Sequence, residues 1–354
     1  MTGKEAFSLA LLLLAGGAHA QRTVTPPPMG ESRPPVSNSI TQDVVVTDKS
    51  GHPVPGLQEG DFTLLDNGKP TAIRSFAAVE GSSSREDLTQ VILLVDEVNT
   101  SFVAVSQERT QLDIFLTRNQ GRLPYPVTVI FLTDTGMKQM NQPSTDGNAL
   151  AAQLAQEEGT LRDLRRSAGF YGAAEQMQIS LRALRSLAAT LTPVAGRKLV
   201  VWISPGWWLF DSPNVYLSDK ERRGFFDAIV EFSDALREAR MVLYAVNPLG
   251  TTDAGSIYNV EWEDFVKPAQ KPNRADPGDV SLQVIAAQSG GQIFYGNNDV
   301  AGEIEKCVAD GSAWYKLTFD TQQAAEGDTW HTITVKVDKP GLKVRTRNGY
   351  YAEP

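Results

Sequence analysis

Residues 91–100 read VILLVDEVNT: five aliphatic side chains without alternation, then a carboxylate, then a polar loop. Such a run suits a strand covered on both faces, the kind found in parallel sheets with helices above and below. Open sheets of that type hold ligands at the carboxyl ends of their strands, so Asp96 falls where a binding site belongs. Further apolar runs predict strands over 127–132, 199–203, 241–246 and 292–295, with a return strand over 137–140. Between them, helical spacing predicts helices over 105–117, 172–191, 221–239, 280–288 and 300–310. Another reaches 154, with Ser144, Thr145 and Asp146 offering N-cap oxygens. Alternating units of this sort imply an α/β fold, a doubly wound and mostly parallel sheet with helices on both faces. Residues 250–279, with prolines and mixed charge, read as a long surface loop.

The flanks change period. Residues 40–85 alternate in the β manner around Gly51, Pro55-Gly56 and Asn67-Gly68, predicting strands over 42–47, 62–66 and 71–76. After Gly311 the period of two returns in AWYKLTFD, HTITVKVDKP and KVRTRNGYYA, read as three strands. Three short strands are marginal alone. The N- and C-terminal sets are therefore expected to join in one small β-sandwich. The expected order is a signal peptide at 1–20 and a Pro-rich linker at 21–39. An N-terminal β segment (40–85), the α/β unit (86–311) and a C-terminal β segment (312–354) follow.

Lys4, the block LALLLLA and Ala18-His19-Ala20 fit a secretory leader cleaved before Gln21, so export to periplasm or medium is expected. No other stretch approaches the roughly 18 apolar residues of a membrane span. The net charge of −9 argues against a nucleic-acid partner, which calls for a basic face. Cys307 is the single cysteine, so no intrachain disulfide forms, and its spacing with Ile304 and Val308 reads as a small buried hydrophobe.

Candidate chemistry gathers around Asp96. A hard divalent cation held by a loop of this kind needs carboxylate and hydroxyl oxygens from three loops. The stretch resembles the metal-binding first loop of von Willebrand factor A domains, Asp-x-Ser-x-Ser: Asp96 and Thr100 supply a carboxylate and a hydroxyl, but Val98 stands where that resemblance implies a first serine. After strand 199–203 the chain reads Ser204-Pro205-Gly206, so Ser204 stands where the resemblance implies the aspartate of Thr-Asp-Gly, and Ser167-Ala168 stands near its middle-loop threonine. The favoured reading is that Asp96 bonds loop amides or caps the next helix, with no cofactor; a Mg²⁺ site of Asp96, Thr100 and Ser204 is the alternative. Asp134-Thr135-Gly136 mimics an aspartic-protease signature but lacks the second copy that chemistry requires. Ser204 lacks the preceding glycine of a nucleophile elbow, and after leader removal only His52 and His331 remain as bases. An enzyme is therefore not expected. Trp207 and Trp208, beside Ser204, read equally as an exposed contact surface or as a lid folded over the crevice.

Taken in order, VVVTDKSGHPVPGLQEGDFTLLDNGKP, VILLVDEVNT, GRKLVVWISPGWW, IAAQSGGQIFYGNNDVAGEI, WYKLTF and HTITVKVDKPGLKVRTRNGYYA resemble the VWFA-related domain proteins of the Acidobacteria type. The likeness spans residues 40–352. It implies a von Willebrand factor A-like domain set between β segments in an exported protein, and it brings no known ligand. The expectation is a non-catalytic, adhesion-like protein-binding module with a degenerate metal-ion-dependent adhesion site. Its ligand would meet Asp96, Asn99, Thr100, Ser204 and Trp207.

Overall fold

The computed structural model describes residues 39–81, 87–157, 170–207, 217–253, 261–322 and 328–352. The leader, residues 21–38 of the Pro-rich linker, Ser167, Ala168 and Trp208 lie outside the described residues, and Ser39 already belongs to the first strand. The chain opens with strands β1 (Ser39–Thr47), β2 (Phe62–Asp66), β3 (Lys69–Pro70) and β4 (Ser75–Glu80). Next come β5 (Thr89–Asp96), helix α1 (Phe102–Thr117), β6 (Arg122–Thr133), β7 (Gly136–Gln139), β8 (Ser144–Asp146) and α2 (Gly147–Gln156). Then follow α3 (Phe170–Leu191), β9 (Arg197–Ile203), α4 (Asp219–Glu238) and β10 (Met241–Val246). After several 3₁₀ turns the chain continues through α5 (Leu282–Gln288), β11 (Ile293–Phe294), α6 (Val300–Ala309), β12 (Ala313–Asp320), β13 (Thr329–Val337), β14 (Lys343–Thr346) and β15 (Gly349–Ala352).

The central sheet has the order β11-β10-β9-β5-β6-β7, with β8 also on β6. Its five inner and outer main strands are parallel; only β7 and β8 run against β6. The unbroken apolar runs explain this, because each strand has two dry faces to fill. Leu93 and Val95 of β5 face α1, α2 and α6, while Ile92 and Leu94 face α3, α4 and α5. Asp96, at the next even position, shares the α3 face with Leu94 and lies opposite Leu132 of β6. All five parallel strands end on one edge, the carboxyl edge.

The two terminal strand sets do pair with each other. β14-β1-β12-β4 forms one antiparallel sheet and β15-β13-β2-β3 the other. Ile40, Val44 and Val46 of the first meet Leu64, Ile333 and Tyr350 of the second in a shared core. One end of that core is polar: Asp66 accepts from Tyr350 Oη at 3.1 Å and pairs with His331 Nδ1 at 2.8 Å. Three expectations need correction. The strand placed at 71–76 lies at Ser75–Glu80, because Lys69–Pro70 first turns back onto β2. KVRTRNGYYA is two strands in different sheets, broken at Arg347-Asn348. Within 250–279, several residues are no surface loop: Ala269, Ala275 and Asp279 are buried, and Tyr351 Oη donates to Ala269 O at 2.8 Å.

The sandwich abuts the amino edge of the parallel sheet through buried charges. Arg240 donates to Asp43 of β1 at 2.8 Å, and Arg197 donates to Asp310 O at 2.8 Å. Both guanidiniums lie 5.3 Å from the ring of Trp314, one buried indole between two cations. Asp310 takes both arms of Arg345, at 2.6 and 2.7 Å, and the Tyr244 hydroxyl at 2.7 Å. Burial and Arg237 pull the Arg347 guanidinium down to about 10. Removing one partner of such a buried pair strands the other in a dry site. Asp310→Ala is therefore expected to lower stability by about 3–5 kcal/mol, read as a fall in the urea midpoint. A midpoint within about 0.5 kcal/mol of wild type would show that solvent reaches the pair.

Candidate functional site at the carboxyl edge

Parallel register sets the site. Leu94 pairs with Trp202 and Val95 with Ile203, which brings Asp96 level with Ser204 where both strands end. Asp96 is 0% exposed, so each lone pair of its carboxylate needs a protein donor. Oδ1 accepts from the backbone N–H of Val98 at 2.8 Å and of Asn99 at 2.9 Å. Oδ2 accepts from Asn99 Nδ2 at 2.7 Å, Ser204 Oγ at 2.8 Å and Trp202 Nε1 at 3.0 Å. Five donors hold one carboxylate. The loop-amide reading of Asp96 describes part of this; the indole and the hydroxyl go beyond it.

The surrounding residues lock those donors. Asn99 Nδ2 also donates to Ser180 Oγ of α3 at 2.8 Å, and Gln176 Nε2 donates to Val98 O at 3.0 Å. Ser204 Oγ accepts from the N–H of Gly206 at 3.0 Å. Gly206 has φ +87°, and a Cβ there would press within 2.8 Å of the Gln283 amide, which donates to Pro205 O. Trp207 is 2% exposed: its Nε1 donates to Val280 O at 2.9 Å and its ring stands edge-on to Trp202 at 5.5 Å. Of the two readings of Trp207, the inward lid is the one found.

The predicted residues thus come together, but as an interior. Asp96, Ser204 and Trp207 are closed to direct contact with a macromolecule, Thr100 is buried and Asn99 is half-buried. These residues do not fit a divalent cation. Val98 offers no side-chain oxygen and its carbonyl is taken by Gln176, Ser204 spends its proton on Asp96, and the Asn99 amide occupies the remaining side of the carboxylate. Among the described residues no three His, Cys, Asp or Glu side chains gather to hold a metal ion. Asp134-Thr135-Gly136 is the exposed turn between β6 and β7, pinned by Thr133. Cys307 is buried, and burial drives its thiol well above the ordinary range, so it stays a neutral hydrophobe.

Two features escaped the sequence reading. Glu108 sits between Val105 and Leu112 on the inward stripe of α1 and is 1% exposed. Among the described residues its two carboxyl oxygens have no hydrogen-bond partner within bonding geometry, and the Thr100 hydroxyl is the polar group that eases the charge. Burial first, and then the charge of Asp96, drive its pKa well above 4.5. Arg109, the adjacent cation, is turned toward Glu97 and the Phe131 ring. The second feature is Tyr295, 39% exposed just past β11, an aromatic side chain standing open on the same edge. Helical spacing marks Glu108 in the sequence; only the shortness of β11 exposes Tyr295.

No family model matches the chain, and no curated protein does. Solved structures overlay on it loosely. The Plasmodium vivax TRAP protein, in a manganese-loaded crystal structure, is 12% identical with a TM-score of 0.31 over 77% of this chain and 96% of that one. The pilus adhesin SpaC of Lactobacillus rhamnosus GG is 12% identical with a TM-score of 0.37, over 85% of this chain and 43% of that one. Proximal thread matrix protein 1 of the mussel byssus is 11% identical with a TM-score of 0.34, over 69% and 50%. The chain thus spans about half the length of the mussel protein and less of the adhesin. Overlays this loose carry nothing about ligand.

Glu108 yields a pH prediction. A carboxyl whose folded pKa is raised holds its proton more tightly when folded. Its contribution is complete below the ordinary 4.5 and is lost as pH rises toward the folded value. Glu108→Gln removes that loss. The variant is expected to gain about 1–3 kcal/mol over wild type at about pH 8 and much less at about pH 4, measured by urea unfolding. An equal difference at both pH values would place the Glu108 proton outside the linkage.

Proposed function

We propose that this chain is an exported, non-catalytic, adhesion-like protein-binding module of von Willebrand factor A-like architecture, whose carboxyl edge binds without a metal. One observation carries the reading. The Asp96 carboxylate, at the place where open α/β sheets hold ligands, is filled by five donors of the protein itself. A carboxylate so bonded has no lone pair left to bind a cation or take a proton from a substrate. The Ser204 hydroxyl faces that carboxylate and no histidine, and His331 is engaged by Asp66 in the sandwich.

What remains at the edge is surface. Exposed aromatics dominate interface energetics, and Tyr295 has that position, with Thr251 exposed on the neighbouring loop after β10. The partner therefore touches the rim, and the Asp96 cluster serves as the rigid floor that holds the loops. This relocates the contact from the expected set to its surroundings.

The test is isothermal titration of the protein with Mg²⁺ and with Mn²⁺, beside Asp96→Asn. No saturable heat and no shift in melting temperature are expected. Saturable binding lost in Asp96→Asn would overturn metal independence. For the rim, a partner captured in the presence of chelator is expected to lose about tenfold or more in affinity with Tyr295→Ala. Retention of full affinity would move the contact elsewhere.

A further inference from the structure

The parallel sheet has a second edge, where the strands begin. There α1 ends at Thr117 and the chain enters β6 through Asn119, Gln120 and Gly121, with φ of 50°, 60° and 75°. Side-chain-bearing residues avoid this left-handed region, and two of the three carry side chains. The turn is held from behind: Asn148 Nδ2 donates to Gln120 O at 3.0 Å, and a Cβ on Gly121 would come within 2.4 Å of the Asn148 amide. In front of it a cleft of about 220 Å³ opens between α1, β6 and α6.

The cleft has an apolar floor of Phe115, Leu123, Tyr125 and Val308. The Tyr125 ring lies so close to Gly311 that a Cβ there would meet it at 2.8 Å. Arg118, Arg122 and Glu305 form the rim. Arg118 is committed, to Glu305 at 2.8 Å and Asp299 at 3.3 Å. Arg122 is exposed; its backbone N–H bonds Asn119 O, while its guanidinium has no hydrogen bond or ion pair among the described residues. Arg118 is answered by two carboxylates, so the cationic character of the rim belongs to the Arg122 guanidinium alone, above an aromatic floor. A planar fork of N–H donors suits a carboxylate, and the floor suits a ring. The volume admits one aromatic side chain with its neighbour and little more.

We propose that this cleft binds an aromatic side chain flanked by a carboxylate, presented by an acidic segment of a partner protein. The ring lies against Phe115 and Tyr125, and the carboxylate takes the free fork of Arg122. This rests on the reading of the chain as a protein-binding module and adds a contact on the edge opposite Asp96.

The test titrates the protein with N-acetyl-Phe-Glu-amide and with its uncharged match, N-acetyl-Phe-Gln-amide, followed by NMR of labelled protein. The Glu peptide is expected to bind about tenfold more tightly than the Gln peptide, with shifts at Tyr125 and Leu123. Arg122→Ala, at an exposed position that leaves the core intact, is expected to erase that difference. Equal binding of the two peptides, absence of binding, or an unchanged ratio in Arg122→Ala would overturn the proposal. Binding of 3-phenylpropionate without either peptide would also overturn it, in favour of a small-molecule acid. The probes read this cleft directly, so a failure here leaves the Tyr295 rim untouched, and a failure of the rim leaves this cleft untouched.

Discussion

An ionised carboxylate with no water around it has to be answered by the protein, and Asp96 obliges three segments of the chain to answer at once and a fourth to hold them. The loop after β5 gives two backbone amides, β9 gives an indole, the loop after β9 gives a hydroxyl, and Asn99 relays the network to α3. Several hydrogen bonds to one charged group are worth more together than singly, because each fixes the geometry of the next. The loops at the carboxyl edge therefore lack the independence usual for binding loops. Their inner halves belong to the core and only their tips are free to vary. A metal ion in the same place would do similar work by joining loops through coordination; here an amide, an indole and a hydroxyl do it instead.

The opposite edge is organised on a different principle. There the sandwich meets the sheet through cations and carboxylates packed around Trp314, and it meets α4 through Trp330 and Tyr351, the latter edge-on to Phe226 at 5.8 Å. An apolar seam tolerates sliding, whereas forked Arg345 on Asp310 and the Arg240 donor to Asp43 fix one geometry. The two parts of the chain are thus held at a defined relative position by directional bonds.

Much of this was legible in the residues. The runs at 91–95, 199–203 and 241–246 mark strands with two dry faces, and the return of period two after Gly311 marks the sandwich. The pairing of N- and C-terminal strands follows from each set being too small alone. Residues bringing Asp96, Asn99, Thr100 and Ser204 together were also readable, because two parallel strands ending in polar residues share an edge. Their role was not. Whether a carboxylate holds an ion or is consumed by neighbours depends on the register Leu94 to Trp202, and register between strands a hundred residues apart leaves no local trace. Trp207 turned inward for a similar reason: its acceptor, Val280 O, lies in a segment whose prolines and charges disguised a buried turn.

The position of β1 has a mechanical meaning. It is an inner strand, paired with β12 over Ser39–Val44 and with β14 over Val44–Thr47, and β15 belongs to the facing sheet. Tension applied between Ser39 and Ala352 therefore runs through the sandwich, because β1 is bonded to β14 and β14 leads directly into β15. The α/β unit, spliced in between β4 and β12, lies outside that load path. A pull on the chain would reach the Asp96 edge only after the sandwich had yielded, so whatever the edge holds is insulated from strain on the backbone that carries it.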